Sequence, residues 1–150
     1  MGGQRKDFES CRPIFAAMGT NINYQGKAGS GQHCKMVNQI MIAGTISGLC
    51  EALAYMNAKG LDPDTVMRSV ATGAAGSPQL DANGPKILSR DDAPGFFIKH
   101  FIKDMRLARE EAQDSGLNLE ILSDTLKHYE KLAEEGYGDL GTQALYRYYE

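Results

Sequence analysis

Between Ser30 and Lys59, apolar or small residues recur on nearly every face of a helical repeat. No proline interrupts the run, and Gly60 is a natural C-terminal stop. The pattern predicts a single helix of about 45 Å at roughly 1.5 Å per residue, buried over most of its surface from Met36 to Met56. Gly44 and Gly48, flanked by Ala43 and Ser47, leave room for a second helix to approach closely. Upstream, Phe8, Cys11, Ile14 and Phe15 fall at spacings of three and four, which predicts a short helix ended by Gly19. In "NINYQG", Ile22 and Tyr24 alternate with polar neighbours, predicting one short strand closed by Gly26. A lone strand needs partners. Nothing later in the chain supplies one, so this strand is expected to belong to a sheet whose other strands are missing.

Shorter helices are predicted downstream. Asp62 and Pro63 open one that runs to about Ala71, and Ser77 and Pro78 open another that runs to about Ser89. A third, amphipathic, covers about Phe97 to Ser115. A fourth covers about Asn118 to Glu135, with Leu119, Ile121, Leu122, Leu126, Tyr129 and Leu132 as its apolar stripe. A last helix is expected from Asp139 to about Tyr149. "TGAAGS" and "RDDAPG" read as loops. The fold class is therefore mainly α, with a small α/β fragment in front.

Composition narrows the function classes. The chain has 150 residues, 42% hydrophobic and 23% charged, ordinary for one globular domain. Sixteen basic against nineteen acidic residues give a net charge of -3. No broad basic field exists for nucleic acid or an anionic membrane, although "IKHFIKDMR" could meet a small anion. Three cysteines, Cys11, Cys34 and Cys50, without regular spacing argue against a disulfide framework, and no CxxC or Cys/His pair suggests a metal site. A reducing cytoplasm is the expected compartment. The polar start "MGGQRKDFES" has no apolar core of a secretory leader. The long helix has about the length of a membrane span, but Asn38, Gln39 and Glu51 would be costly inside a bilayer.

The chemistry concentrates in "GKAGSGQHCKMVNQ", Gly26 to Gln39. Position 34 is Cys, so the third glycine of a dinucleotide fingerprint is absent, and the P-loop pattern also fails. The stretch does open a helix, whose free N–H groups offer a modest anion site. Lys35 falls in the second turn, near the positive end of the helix dipole, a position that favours its neutral form. A lysine tuned toward neutrality can act as general acid or base. Asn38 and Gln39, at i+3 and i+4, share its side of the helix. One ammonium and two amides could hold a carboxylate and a hydroxyl or carbonyl oxygen. Spacing alone leaves a plainer reading open, in which Gly29 and Gly31 make a turn, Lys35 is solvated and the amides pair with backbone.

The same residues resemble the G-x-x-G-x-G-x-x-x-K-x-x-N-[NQ] signature of the β-hydroxyacid dehydrogenases, the family of 3-hydroxyisobutyrate and 6-phosphogluconate dehydrogenases. A second block, "GFFIKHFIKDMRLAREEA", is similar to that family's F-x-x-x-x-x-x-K-D-x-x-L-A segment, with Phe96, Lys103, Asp104, Leu107 and Ala108 in register. The upstream "GGQRKDFESCRPIFAAMGTNINYQG" resembles the last helix and strand of the family's nucleotide domain. The resemblance implies an all-helical domain of the 6-phosphogluconate dehydrogenase C-terminal type over residues 29–150, with one long central helix. Residues 1–28 would be a helix–strand remnant of a Rossmann domain.

By resemblance, Lys35 is the general acid/base. Asn38, Gln39 and Gly31 lie on the substrate side, with Gln39 standing where many members have Asn. Lys103 touches the cofactor, NAD or NADP, and Phe96 and Asp104 line or brace the same place; without the family, Lys103–Asp104 reads as a surface charge pair. The implied reaction is reversible oxidation of a short 3-hydroxy acid to its semialdehyde, with no metal, in a homodimer or homotetramer built through the long helix. The family's G-x-G-x-x-G loop and Ser-Gly-Gly segment are not found among these residues, so the chain alone is expected to turn over negligibly. The rival expectation is a non-enzymatic helical interaction module that has kept the fold. His33 and His100 read as structural or solvated, and Glu51 as a polar contact in the long helix. Tyr146, Tyr148 and Tyr149 are expected to pack on a partner subunit.

Overall fold

The computed structural model describes all residues, Met1–Glu150. They form two compact units, Met1–Asn38 and Gln39–Glu150. The division falls inside the long helix rather than ahead of it.

In the first unit, helix α1 spans Arg5–Met18, and helix α2 begins at Ser30. The expected strand over "NINYQG" is extended backbone that forms no strand. Its partner is the N-terminus. The Met1 ammonium donates to the Asn23 carbonyl (2.9 Å), and the Gln25 N–H donates to the Met1 carbonyl (2.7 Å). Donation to one residue and acceptance from the second residue beyond it is the pattern of a parallel pair. With α1 joining the two segments, this is a strand–helix–strand crossover in miniature. The pairing ends where the Gly3 N–H meets the Gly26 carbonyl (2.9 Å), too little ladder for a sheet. Phe8 is the buried residue of α1, with its ring 5.3 Å from Tyr24 and 6.0 Å from Phe15. The Tyr24 hydroxyl donates to the Gly3 carbonyl (2.8 Å), and the Arg5 guanidinium lies 4.9 Å over the Tyr24 ring.

The second unit holds the rest of α2 (Ser30–Ala58 in all), α3 (Pro63–Ala71), α4 (Pro78–Leu88), α5 (Ile98–Asp114) and α6 (Glu120–Leu132). The start signals read from the sequence work as expected. The Asp62 carboxylate accepts from the Thr65 N–H (2.9 Å). The Ser77 hydroxyl accepts from the Leu80 N–H (3.1 Å), a cap that contributes about 1 kcal/mol. Helix α5 packs on α6, with Phe101 and Tyr129, both fully buried, edge to face at 5.3 Å. Burying each such side chain stabilises by roughly 1.5–3 kcal/mol.

The expected last helix from Asp139 forms, three residues late and in the tighter 3-10 geometry. A π-turn covers Ala133–Tyr137, and a 3-10 helix covers Thr142–Tyr149. Residues 138–141 pair with the start of α5 and the residue before it. The Ile98 N–H donates to the Leu140 carbonyl and the Lys99 N–H to the Gly138 carbonyl, both at 3.0 Å, and Phe97 forms an antiparallel bridge with Gly141.

Helix α2 is not buried all round. Gln39, Ala43, Ile46, Leu49, Cys50, Leu53 and Met56 face the interior, while Val37, Met41 and Tyr55 are exposed. By length and composition alone the helix could cross a membrane, but its buried face belongs to a core. Ile121, expected in the α6 stripe, is 70% exposed. It lines an open groove of about 550 Å³ with Met41, Gly44 and Thr45 of α2.

Candidate functional site

The first turns of α2 carry Gly31, Lys35 and Asn38 in the first unit. A side chain on Gly2 would put its Cβ 2.7 Å from the Lys27 carbonyl oxygen and 2.9 Å from the Gly31 N–H nitrogen. A Cβ on Gly31 would come within 3.2 Å of the Gly2 nitrogen. The two glycines therefore let the N-terminal segment meet the helix start as bare backbone. Gly29 precedes the helix at φ +91°, a left-handed conformation that favours glycine. Lys35 and Asn38 are exposed.

In the second unit, Gln39 and Asp104 are both buried, at 1% and 8% exposure. The Gln39 Nε2 donates to Asp104 Oδ2 at 2.8 Å, tying α2 to α5. The other carboxylate oxygen, Oδ1, lies 2.9 Å from the Lys103 Nζ. A buried carboxylate must be compensated, and here an amide and an ammonium each take one oxygen. Lys103–Asp104 is thus not the surface charge pair that sequence spacing allows. Its carboxylate is interior, and only the Lys103 side chain, 67% exposed, reaches solvent. An ammonium so placed has further hydrogens to offer an anion or a carbonyl.

Phe96 lies just ahead of α5. Its ring is edge-on to buried Phe101 at 5.9 Å and 6.3 Å from the His100 ring, and the residue is 37% exposed. One side of the ring therefore rests on the core while another part stays available. The structure thus brings Gln39, Asp104 and Lys103 together by direct contact, with Phe96 nearby at the head of the same helix.

Two residues that pattern reading missed, Thr142 and Gln143, hold this end of the fold together with Tyr129 of the α6 stripe. The Thr142 N–H donates to the Phe96 carbonyl (3.0 Å), and the Tyr129 hydroxyl donates to the Thr142 carbonyl (2.7 Å). Gln143, 2% exposed, donates to the carbonyls of Asp91 (2.9 Å) and Ala93 (3.0 Å). Their signal is not in any motif. It is a contact between segments about 50 residues apart. No group of three or more His, Cys, Asp or Glu side chains is placed to hold a metal ion.

Comparison with known proteins gives the class. Residues 29–149 match the family described as the NAD-binding region of NADP-dependent 3-hydroxyisobutyrate dehydrogenase. The chain belongs to the 3-hydroxyisobutyrate dehydrogenase family. It is 50% identical over 147 residues to an uncharacterised oxidoreductase, YkwC, of Bacillus subtilis, covering 98% of this chain and 51% of that protein. It is 43% identical over 144 residues to a probable mitochondrial 3-hydroxyisobutyrate dehydrogenase-like protein of Arabidopsis thaliana, covering 96% of this chain and 43% of the other. The fold is shared with the 3-hydroxyisobutyrate dehydrogenase of Mycobacterium tuberculosis solved with L-serine. There the TM-score is 0.89 at 24% identity, over 97% of this chain and 52% of that one. The chain thus spans about half the length of the relatives it matches.

Proposed function

We propose that this chain is the helical, catalytic-lysine half, the C-terminal domain, of an NAD(P)-dependent β-hydroxyacid dehydrogenase that oxidises a short 3-hydroxy acid to its semialdehyde. The observation that carries the reading is the hydrogen bond from Gln39 to Asp104. It joins two motif blocks recognised separately in the sequence. Family membership supports the oxidoreductase class, and the 3-hydroxy acids named with its relatives, 3-hydroxyisobutyrate and serine, support the substrate class.

Lys35 takes the proton of the substrate hydroxyl as the carbonyl forms, and returns it in the reverse direction. Asn38 and the backbone at Gly31 orient the substrate. Gln39, expected beside them, is buried and acts from behind the site, its amide bracing Asp104. Asp104 holds the Lys103 ammonium, which meets the cofactor, and Phe96 offers the cofactor an apolar ring. When bound, the nicotinamide supplies the hydride acceptor. Lys103 and Phe96 fit one edge of such a cofactor, and the phosphate-binding G-x-G-x-x-G loop is not among these residues. We therefore propose that the 150 residues alone turn over negligibly, with residues 1–28 acting as the edge of a nucleotide-binding domain. Association into a homodimer or homotetramer through α2, and a cytoplasmic home suggested by three free thiols, complete the proposal.

A second reading, a non-enzymatic interaction module, is favoured by the apolar groove between α2 and α6. An assay of the complete dehydrogenase with NAD(H) or NADP(H) and a panel of short 3-hydroxy acids separates the two. Turnover supports the enzyme, and no turnover with any of them supports the module.

A further inference from the structure

We propose that Gln143 is a positioning residue for the cofactor side of the site, acting through the backbone of Asp91–Phe97. The inference rests on the reading of Phe96 and Lys103 as cofactor contacts.

The segment between α4 and α5 has no regular structure of its own. Loop backbone without partners is mobile, so something else must fix Phe96. The C-terminal strap does so. Gln143 donates through one Nε2 to two loop carbonyls, those of Asp91 and Ala93. The Gly141 N–H donates to the Asp92 carbonyl at 2.9 Å, and the Thr142 N–H donates to that of Phe96 at 3.0 Å. At the exposed end, the Arg147 guanidinium pairs with the Asp92 carboxylate, its Nε donating at 2.9 Å. The strap is anchored in turn by the Tyr129 hydroxyl, which is fully buried.

Gln143 is built into this arrangement rather than lying across it. A Cβ on Gly141 would fall 2.3 Å from the Gln143 Oε1 and 2.6 Å from its Nε2. The carboxamide occupies the space that a glycine at 141 leaves open. A glutamate at 143 keeps the shape but turns two donated contacts into a carboxylate facing two carbonyls.

In the complete dehydrogenase, Gln143→Glu is expected to raise the KM for NAD(P) about tenfold by displacing Phe96. The kcat at saturating cofactor and the KM for the hydroxy acid stay within about twofold. A merely structural role would instead scale all activity with the folded fraction. Gly76→Ala, remote from the strap in sequence, is the destabilised control and leaves the cofactor KM unchanged. Arg147→Ala carries the same expectation at smaller size and serves if Gln143→Glu does not fold. Phe96→Ala, measured alongside, separates the two claims. If it raises the cofactor KM while the Gln143 and Arg147 variants do not, the inference about the strap is overturned alone. If Phe96→Ala leaves the cofactor KM unchanged, the reading of Phe96 falls and the inference falls with it.

Discussion

The side-chain amide of Gln39 donates to the carboxylate of Asp104 at 2.8 Å, both groups buried, across 65 positions of sequence. Asp104 is held there because Lys103 takes its other oxygen. This connection gives the family's two motif blocks a physical link, and it sets the first prediction.

Gln39→Leu keeps the approximate volume but leaves Asp104 with one buried oxygen unpaired. Removing one partner of a buried charged hydrogen bond costs about 1–3 kcal/mol. Denaturant unfolding should show that loss, whereas Gln39→Asn, shorter but still a donor, should lose less. Equal stability in Gln39→Leu and wild type would mean the contact carries nothing.

Two glycine substitutions should differ in a way the contacts dictate. A Cβ on Gly76 would lie 2.2 Å from the Ala71 carbonyl oxygen, which is backbone and cannot step aside. A Cβ on Gly84 would lie 2.4 Å from the Met67 Cε, the end of a flexible side chain. Gly76→Ala is expected to cost about 1–3 kcal/mol by overpacking. Gly84→Ala should cost less, since Met67 can repack and alanine favours the helix. Thermal midpoints of the two variants decide the order.

Burial, with a smaller effect of the Glu51 charge, pushes the Cys50 thiol from 9.0 up to about 12. Below the unfolded value, both states hold the proton and the full stability is present. As pH rises toward the folded value, the unfolded chain ionises while the folded one does not, so stability falls. Burial also pushes the Tyr129 hydroxyl well above its ordinary value, adding loss at still higher pH. Thermal midpoints between about pH 8 and pH 11 should therefore fall less steeply in Cys50→Ala than in wild type. The same burial predicts that an alkylating reagent at about pH 8 labels exposed Cys34 in the native protein and spares Cys50.

Much of the fold was legible because helix signals are local. Asp62 and Ser77 act as caps where the sequence placed them, and α2, α5 and α6 fall close to their expected spans. What failed depended on distant partners. The "NINYQG" strand found only Met1–Gly3 to pair with, and the last helix starts late, at Thr142, because residues 138–141 hydrogen-bond to the start of α5. Ile121 follows the apolar period of α6 yet faces the groove above Gly44, since periodicity cannot say what covers a face. Among the candidate residues, Lys35, Gln39, Lys103 and Asp104 stood out through the resemblance, and the burial of Asp104 did not. Gln143 carries no local signature, because its function is to reach a loop elsewhere in the chain.

The claim that Lys35 moves the substrate proton is tested most directly by Lys35→Ala in the complete dehydrogenase. The account predicts that kcat falls by about 10²- to 10⁴-fold, with an unchanged unfolding midpoint and partial recovery on adding small primary amines. A variant that folds normally and keeps wild-type kcat would contradict it.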